Sequence, residues 1–356
     1  MKKSVFCLAL AVIAVLSACN KTQVIEEAAS GEITLRPLLS GRTKASSTLD
    51  MTADNLQSFT VNARNGDHFL FENEVYTKTD IGESVAYVSE HKHYWPSSGS
   101  VDFFAYAYDE DGASQVSKTD YKTFVVTPDA NATKQVDLVY AVAKEQDETS
   151  GAGGVPLTFQ HTGSKIAVKV KNSSSTLKFE IEGWKVAYLS DSGTFTYSES
   201  NGGDTFQWNN LAAKEIGTEY RSTFATKHID PRTDATPLEG SMILVPQTLD
   251  KATAYASADL GAKPTGAYIA VKMKVHSAGG LPIIHDGNDN ALWAVWPVGN
   301  TWNPGCLYTY TIELSGGGYY ETNQDGNADL DPILEDTEIQ FVFVEVANWD
   351  ENAENL

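Results

Sequence analysis

The chain has 356 residues, with 26 Lys and Arg against 47 Asp and Glu, a formal net charge of −21 at pH 7. So acidic a balance excludes a nucleic-acid binder, whose partner phosphates demand clustered cations, and suits a surface that must stay dispersed at high local density. The only cysteines are Cys7, Cys19 and Cys306, which rules out a disulfide framework or a thiolate zinc cluster.

At the N-terminus, Met1-Lys2-Lys3 is followed by an apolar run over residues 5–16 and by Leu16-Ser17-Ala18-Cys19. A run of about a dozen residues is too short to span a bilayer, which needs roughly 20, and the layout is that of an export signal. The small Ala18 admits a membrane peptidase, and the thiol of Cys19 can carry the lipid. Residues 1–18 therefore read as a lipoprotein signal peptide cut between Ala18 and Cys19, with Cys19 bearing acyl chains such as palmitate. Several chains on one residue exceed the two signals needed for stable anchoring, so the product is tethered through its lipid alone, and the expected location is the outer membrane. Loss of the signal also removes Cys7, and Cys306 is left without a thiol partner.

Residues 19–31 follow as a polar spacer that shows neither strand alternation nor a helical stripe. From Glu32 onward the pattern is one of short β-branched and aromatic segments between Gly, Asn, Asp and Ser clusters, as at 58–63, 101–108, 121–126, 165–170, 177–181, 267–275, 308–314 and 339–346. One short helix is expected at 209–216. The expected fold class is all-β, built from sandwiches. In Lys165-Ile166-Ala167-Val168-Lys169-Val170-Lys171 the three β-branched residues share a core face and the lysines a wet one. Composition shifts at 144–154, where acids and glycines interrupt the strands. The expected units are thus 32–150 and 151–356.

Reactive constellations are scarce. The chain has no Gly-x-Ser-x-Gly elbow, phosphate loop or His-Glu-x-x-His helix. His91 and His93 lie on one side of an extended segment and read as a surface pair. The loop 325–331 alternates oxygen side chains as calcium loops do, but Leu330 stands where an EF-hand needs glycine; a polar hairpin loop is the default. Trp293, Trp296 and Trp302 could form a sugar-stacking platform or fill a core. No catalytic residue, metal ligand or cofactor is assigned.

A family resemblance rests on Leu16-Ser17-Ala18-Cys19 together with Val155-Pro156-Leu157-Thr158-Phe159-Gln160-His161, Ile243-Leu244-Val245-Pro246-Gln247-Thr248-Leu249, Trp302-Asn303-Pro304-Gly305-Cys306-Leu307-Tyr308-Thr309-Tyr310 and the ending 341–349. In combination these segments resemble the fimbrillins, in particular the Mfa-like group. The resemblance implies two transthyretin-like β-sandwich domains with Greek-key-type connections. It also implies a structural or adhesive role in a surface fimbria, as pilus stalk or tip, without enzymatic activity. It further implies that an Arg-directed protease removes the first strand and that a strand from another subunit fills the groove. Ile33, Leu35 and Leu39 share one face of that removable strand, where Pro37 is tolerable only at an edge. Arg42, in the small-residue loop Ser40-Gly41-Arg42-Thr43, is the expected cleavage site. The final strand, with Ile339, Phe341, Phe343, Val344 and Val346, either completes its own domain or is donated to a neighbour. The implied partners are other fimbrial subunits and a host or microbial surface ligand. The competing function is a surface glycan-binding lipoprotein that feeds polysaccharide uptake.

Overall fold

The computed structural model describes residues 31–39, 50–52, 54–81, 84–199, 204–215, 218–252, 266–284, 290–316, 319–321 and 341–349. Within them the chain is all-β, as expected, and its helical pieces are the 3-10 turns Glu110–Gln115, Ala132–Lys134 and Leu314–Gly316.

Seven strands form the first sheet in the order Leu35–Leu39, Val155–His161, Val139–Gln146, Val101–Ala107, Ser58–Asn65, His68–Ile81, Ser84–Ser89. Its central strands are apolar on both faces because both faces are covered. In Val101–Ala107, Phe103, Ala105 and Ala107 point into one cluster with Phe59, Leu157 and Phe159. Phe104 and Tyr106 point into another with Phe124, Tyr140 and Phe195. The second cluster is roofed by a four-stranded sheet ordered Thr205–Asn209, Gly193–Ser198, Thr123–Val126, Val116–Asp120. The first cluster is enclosed because the long sheet curls until its ends meet: Glu32, before the first strand, bridges Tyr94, beyond the last.

A second sandwich faces Thr233–Pro237, Ser164–Asn172, Cys306–Glu313 and Phe341–Asn348 against Glu219–Ile229, Leu177–Ala187, Tyr268–Ser277, Leu292–Pro297 and Tyr319–Glu321. Its core holds Trp184, Trp296, Trp302, Tyr308 and Tyr310, all at most 1% exposed. Strand Leu177–Ala187 runs six residues beyond the expected end at 181, since a bulge between Ile181 and Gly183 moves the core-facing set from Phe179 and Ile181 to Trp184 and Val186. At Gly183 a Cβ would stand 2.5 Å from the carbonyl oxygen of Ser222, so only glycine lets the neighbouring strand pass.

Three expectations are corrected. The boundary at 150 is not a change of sheet. Residues 147–154 form a turn inside the first sheet, where Ser150 N donates to Asp147 Oδ1 at 2.7 Å, and Val155–His161 completes that sheet. The paired strands Gly193–Ser198 and Thr205–Asn209, from the later half, also join the earlier one through Gly193–Thr196 against Thr123–Val126. No helix forms over the described part of 209–216. Ala212 N donates to Ser192 O at 3.0 Å and Lys214 Nζ reaches Thr248 O and Asp250 Oδ2, each at 2.6 Å, so tertiary contacts hold the segment out of a helix against its propensity. Lys165 is not wet but 4% exposed.

A charge cluster clamps the four-stranded roof to the long sheet. Glu199 receives Arg64 Nη2 at 3.1 Å and Lys122 Nζ at 3.0 Å, and Lys144 bonds Asp204 at 2.8 Å. Burial alone would raise the Glu199 pKa, but the Lys122 bond and the charges of Lys122, Arg64 and Lys144 outweigh it and hold the carboxyl below its ordinary range. A depressed carboxyl pKa adds stability that is present above the unfolded value and is lost as pH falls through the folded one. Glu199→Gln is therefore expected to cost about 0.5–1 kcal/mol at pH 7, a difference from wild type that fades below about pH 4 when urea midpoints are compared across pH. Gly183→Ala, by contrast, should cost about 1–3 kcal/mol at every pH, read in the same titrations.

Candidate functional site

The first strand, Leu35–Leu39, lies at the outer edge of the long sheet and runs parallel to Val155–His161, with Leu35 opposite Val155, Pro37 opposite Leu157 and Leu39 opposite Phe159. Its odd-numbered side chains enter the enclosed cluster. Ile33 and Leu35 are 4% and 7% exposed, Pro37 is buried, and Leu39 is half-buried against the same residues. Pro37 cannot donate to a ladder, so it belongs on an edge strand, where the sequence placed it. Val155 N donates to Thr34 O at 2.8 Å on the paired side.

On its other side the strand is held, among the described residues, only at its start. Ile33 N donates to His93 O at 2.8 Å and Trp95 N to Gly31 O at 2.7 Å. Beyond that clasp the two sheet edges diverge and leave a cleft of about 140 Å³ lined by Ile33, Leu35, Tyr76, Val85, Tyr87 and His93. At its rim Lys92 Nζ pairs with Glu32 Oε2 at 3.0 Å, and Glu74 lies between His91 Nδ1 at 3.3 Å and His93 Nε2 at 3.5 Å. His93 also stacks on Phe71 at 3.9 Å. Burial pushes the Tyr76 and Tyr87 hydroxyls up to about 12, so both stay neutral hydrogen-bonding groups over the ordinary pH range. Among the described residues no group of three His, Cys, Asp or Glu side chains is placed to hold a metal.

The final strand, Phe341–Asn348, pairs antiparallel with Cys306–Glu313 and forms an edge of the second sandwich. Val344 is half-buried against the core, whereas Val346 is 57% exposed. The next residue, Trp349, is a feature that sequence reasoning missed. It is 2% exposed, its ring stacks on His161 at 4.0 Å and 9°, and its main-chain N–H donates to Gly305 O at 2.9 Å. A large aromatic just before a polar tail was the available signal. Of the three tryptophans offered as a sugar platform, Trp296 and Trp302 are core residues. Trp293 is covered by Lys185 Nζ at 4.8 Å from its ring. Ala18, Cys19, Arg42, Ile339 and the loop 325–331 lie outside the described residues.

Paired β-sandwiches with an apolar edge strand seated between two sheet edges are the architecture around this cleft. The chain belongs to the fimbrillin-like family, which it matches over residues 43–349. Among solved structures it is similar to a fimbrial protein from Bacteroides vulgatus, at 15% identity with 90% of this chain and 99% of the other covered and a TM-score of 0.51. It is also similar to a putative cell adhesion protein from Bacteroides uniformis, at 16% identity, 90% and 98% coverage and a TM-score of 0.43. A third match is the C-terminally truncated tip fimbrial protein Mfa3 from Porphyromonas gingivalis, at 12% identity, 82% and 94% coverage and a TM-score of 0.36. Comparison with the curated proteins finds no match.

Leu35→Ala is expected to destabilise the fold by roughly 2–4 kcal/mol through the cavity it leaves in the enclosed cluster. Arg36→Ala, on the opposite face of the same strand, should cost less than about 1 kcal/mol; urea denaturation of the two variants measures the contrast.

Proposed function

We propose that this fimbrillin-like protein is a fimbrial subunit that reaches the surface as a lipoprotein through Cys19 and is matured by proteolysis after Arg42. The cut releases residues 19–42, including Ile33, Leu35 and Leu39, from the groove, and a strand of another subunit takes their place. The observation that carries this reading is the seating of the first strand. It is an edge strand, bonded along one side, with an apolar row in a closed cluster, and it ends at Leu39, three residues before Arg42. An incoming strand would recover the ladder to Val155–His161 and an apolar row worth roughly 1.5–3 kcal/mol per buried side chain.

The C-terminal end supports an accepting role. Phe341–Asn348 is paired along its length within its own sandwich, and Trp349 is locked behind it. A subunit that keeps its last strand accepts a neighbour without donating one, which is the position of a subunit at the end of a fibre.

The test is mass spectrometry of the N-terminus of surface material, comparing sheared fibres with detergent-extracted membrane in wild type and Arg42→Ala. Sheared polymer beginning at Thr43, and its loss in the variant, is the expected result. Surface material that retains lipidated Cys19 throughout overturns the processing step.

A further inference from the structure

Between the two sandwiches lies a buried polar cluster with no part in the groove. Lys165 Nζ, on the strand Ser164–Asn172, is hydrogen-bonded to Asp50 Oδ2; the two residues are 4% and 1% exposed and 115 positions apart in sequence. Asp137, 1% exposed, accepts the amide of Met51 at 2.9 Å through Oδ2, which sets its carboxyl beside the Asp50 backbone, and the same oxygen meets His161 Nδ1 at 2.7 Å. Trp349 closes the cluster, stacked on His161 and 5.7 Å from Lys165 Nζ.

As an ion pair this arrangement is incomplete. Asp50 Oδ1, Asp137 Oδ1 and Trp349 Nε1 are buried without a hydrogen-bond partner among the described residues. A desolvated pair with unmet hydrogen-bonding capacity is costly. Condensation of the two groups removes both charges and one of the orphaned acceptors' oxygens at once. We propose that Asp50 and Lys165 form a side-chain amide within the folded chain, with Asp137 as the positioning residue that handles the proton.

The step balances without an oxidant or any other reactant. The Lys165 amine lone pair attacks Asp50 Cγ, forming the Nζ–Cγ bond. The Nζ proton passes through the Asp137 carboxyl to the departing oxygen, the Cγ–O bond breaks, and one water leaves. Burial, with the Asp137 charge adding and Lys165 opposing, holds the Asp50 carboxyl above its ordinary range, which favours the protonated acid that can lose hydroxide as water. The Trp349 and His161 rings exclude the water that would reverse the reaction. The bond ties a segment from the chain's beginning to the second sandwich and does not depend on cleavage at Arg42.

Trypsin digestion of the denatured full chain tests this directly. The cross-link predicts one branched product, peptide 45–64 joined through Asp50 to peptide 145–169 with no cut after Lys165, lighter than its separate parts by one water. Linear peptides 45–64 and 145–165 from protein shown to be folded before denaturation overturn it. Asp137→Asn, which cannot take up and return the proton, should leave both peptides linear in a folded chain, and Asp137→Glu should restore the branch. Wild-type yield of the branched product from Asp137→Asn overturns the part given to Asp137.

Discussion

A strand whose face is buried must still find partners for the main-chain groups along both of its edges, and here that requirement falls on Val155–His161. Val155, Leu157 and Phe159 sit in the enclosed cluster of the first sandwich, so the outer edge of their strand borders apolar surroundings where unpaired amides and carbonyls are expensive. Leu35–Leu39 meets that need in parallel register and supplies an apolar row to the same cluster. The curl of the sheet, the clasp at Gly31 and Trp95 and the cleft beside it all follow from the first strand occupying this edge.

The local chemistry that specifies strands is strong in this sequence. Alternation in Ile166, Val168 and Val170, and continuous apolarity in the segment from Phe103 to Ala107, point to the right elements and the right faces. The row of Ile33, Leu35 and Leu39 was legible for the same reason. What could not be read is the order in which strands pair. The acidic, glycine-rich stretch after Lys144 has the composition of a linker, and it is a turn between strands of a single sheet. The break in alternation at Gly183 looks like the end of a strand because a bulge shifts the parity without ending the ladder.

Charge was misleading in the same way. Lys165 stands in register with Lys169 and Lys171, and the period of two assigns it to solvent. Its burial depends on Asp50, Asp137, His161 and Trp349 arriving from remote parts of the chain, which no local pattern records. The similarity to the Bacteroides vulgatus fimbrial protein, at 15% identity over 90% of this chain, makes a related point. A fold held by face patterning and core volume tolerates nearly complete replacement of its residues, whereas a buried polar cluster depends on individual identities.

The shared roof sheet has a consequence for how the protein is made. Val116–Asp120 and Thr123–Val126 are synthesised with the first half, but the ladder that completes their sheet, Gly193–Thr196, comes from well into the second. Until that strand emerges, Phe104, Phe124 and Tyr140 lack Phe195 and Tyr197 as cover. The halves therefore cannot fold in strict succession as beads on a string. The first must wait, with an aromatic surface bare, for a piece of the second, which makes its early life the interval most exposed to misassembly and most in need of an escort.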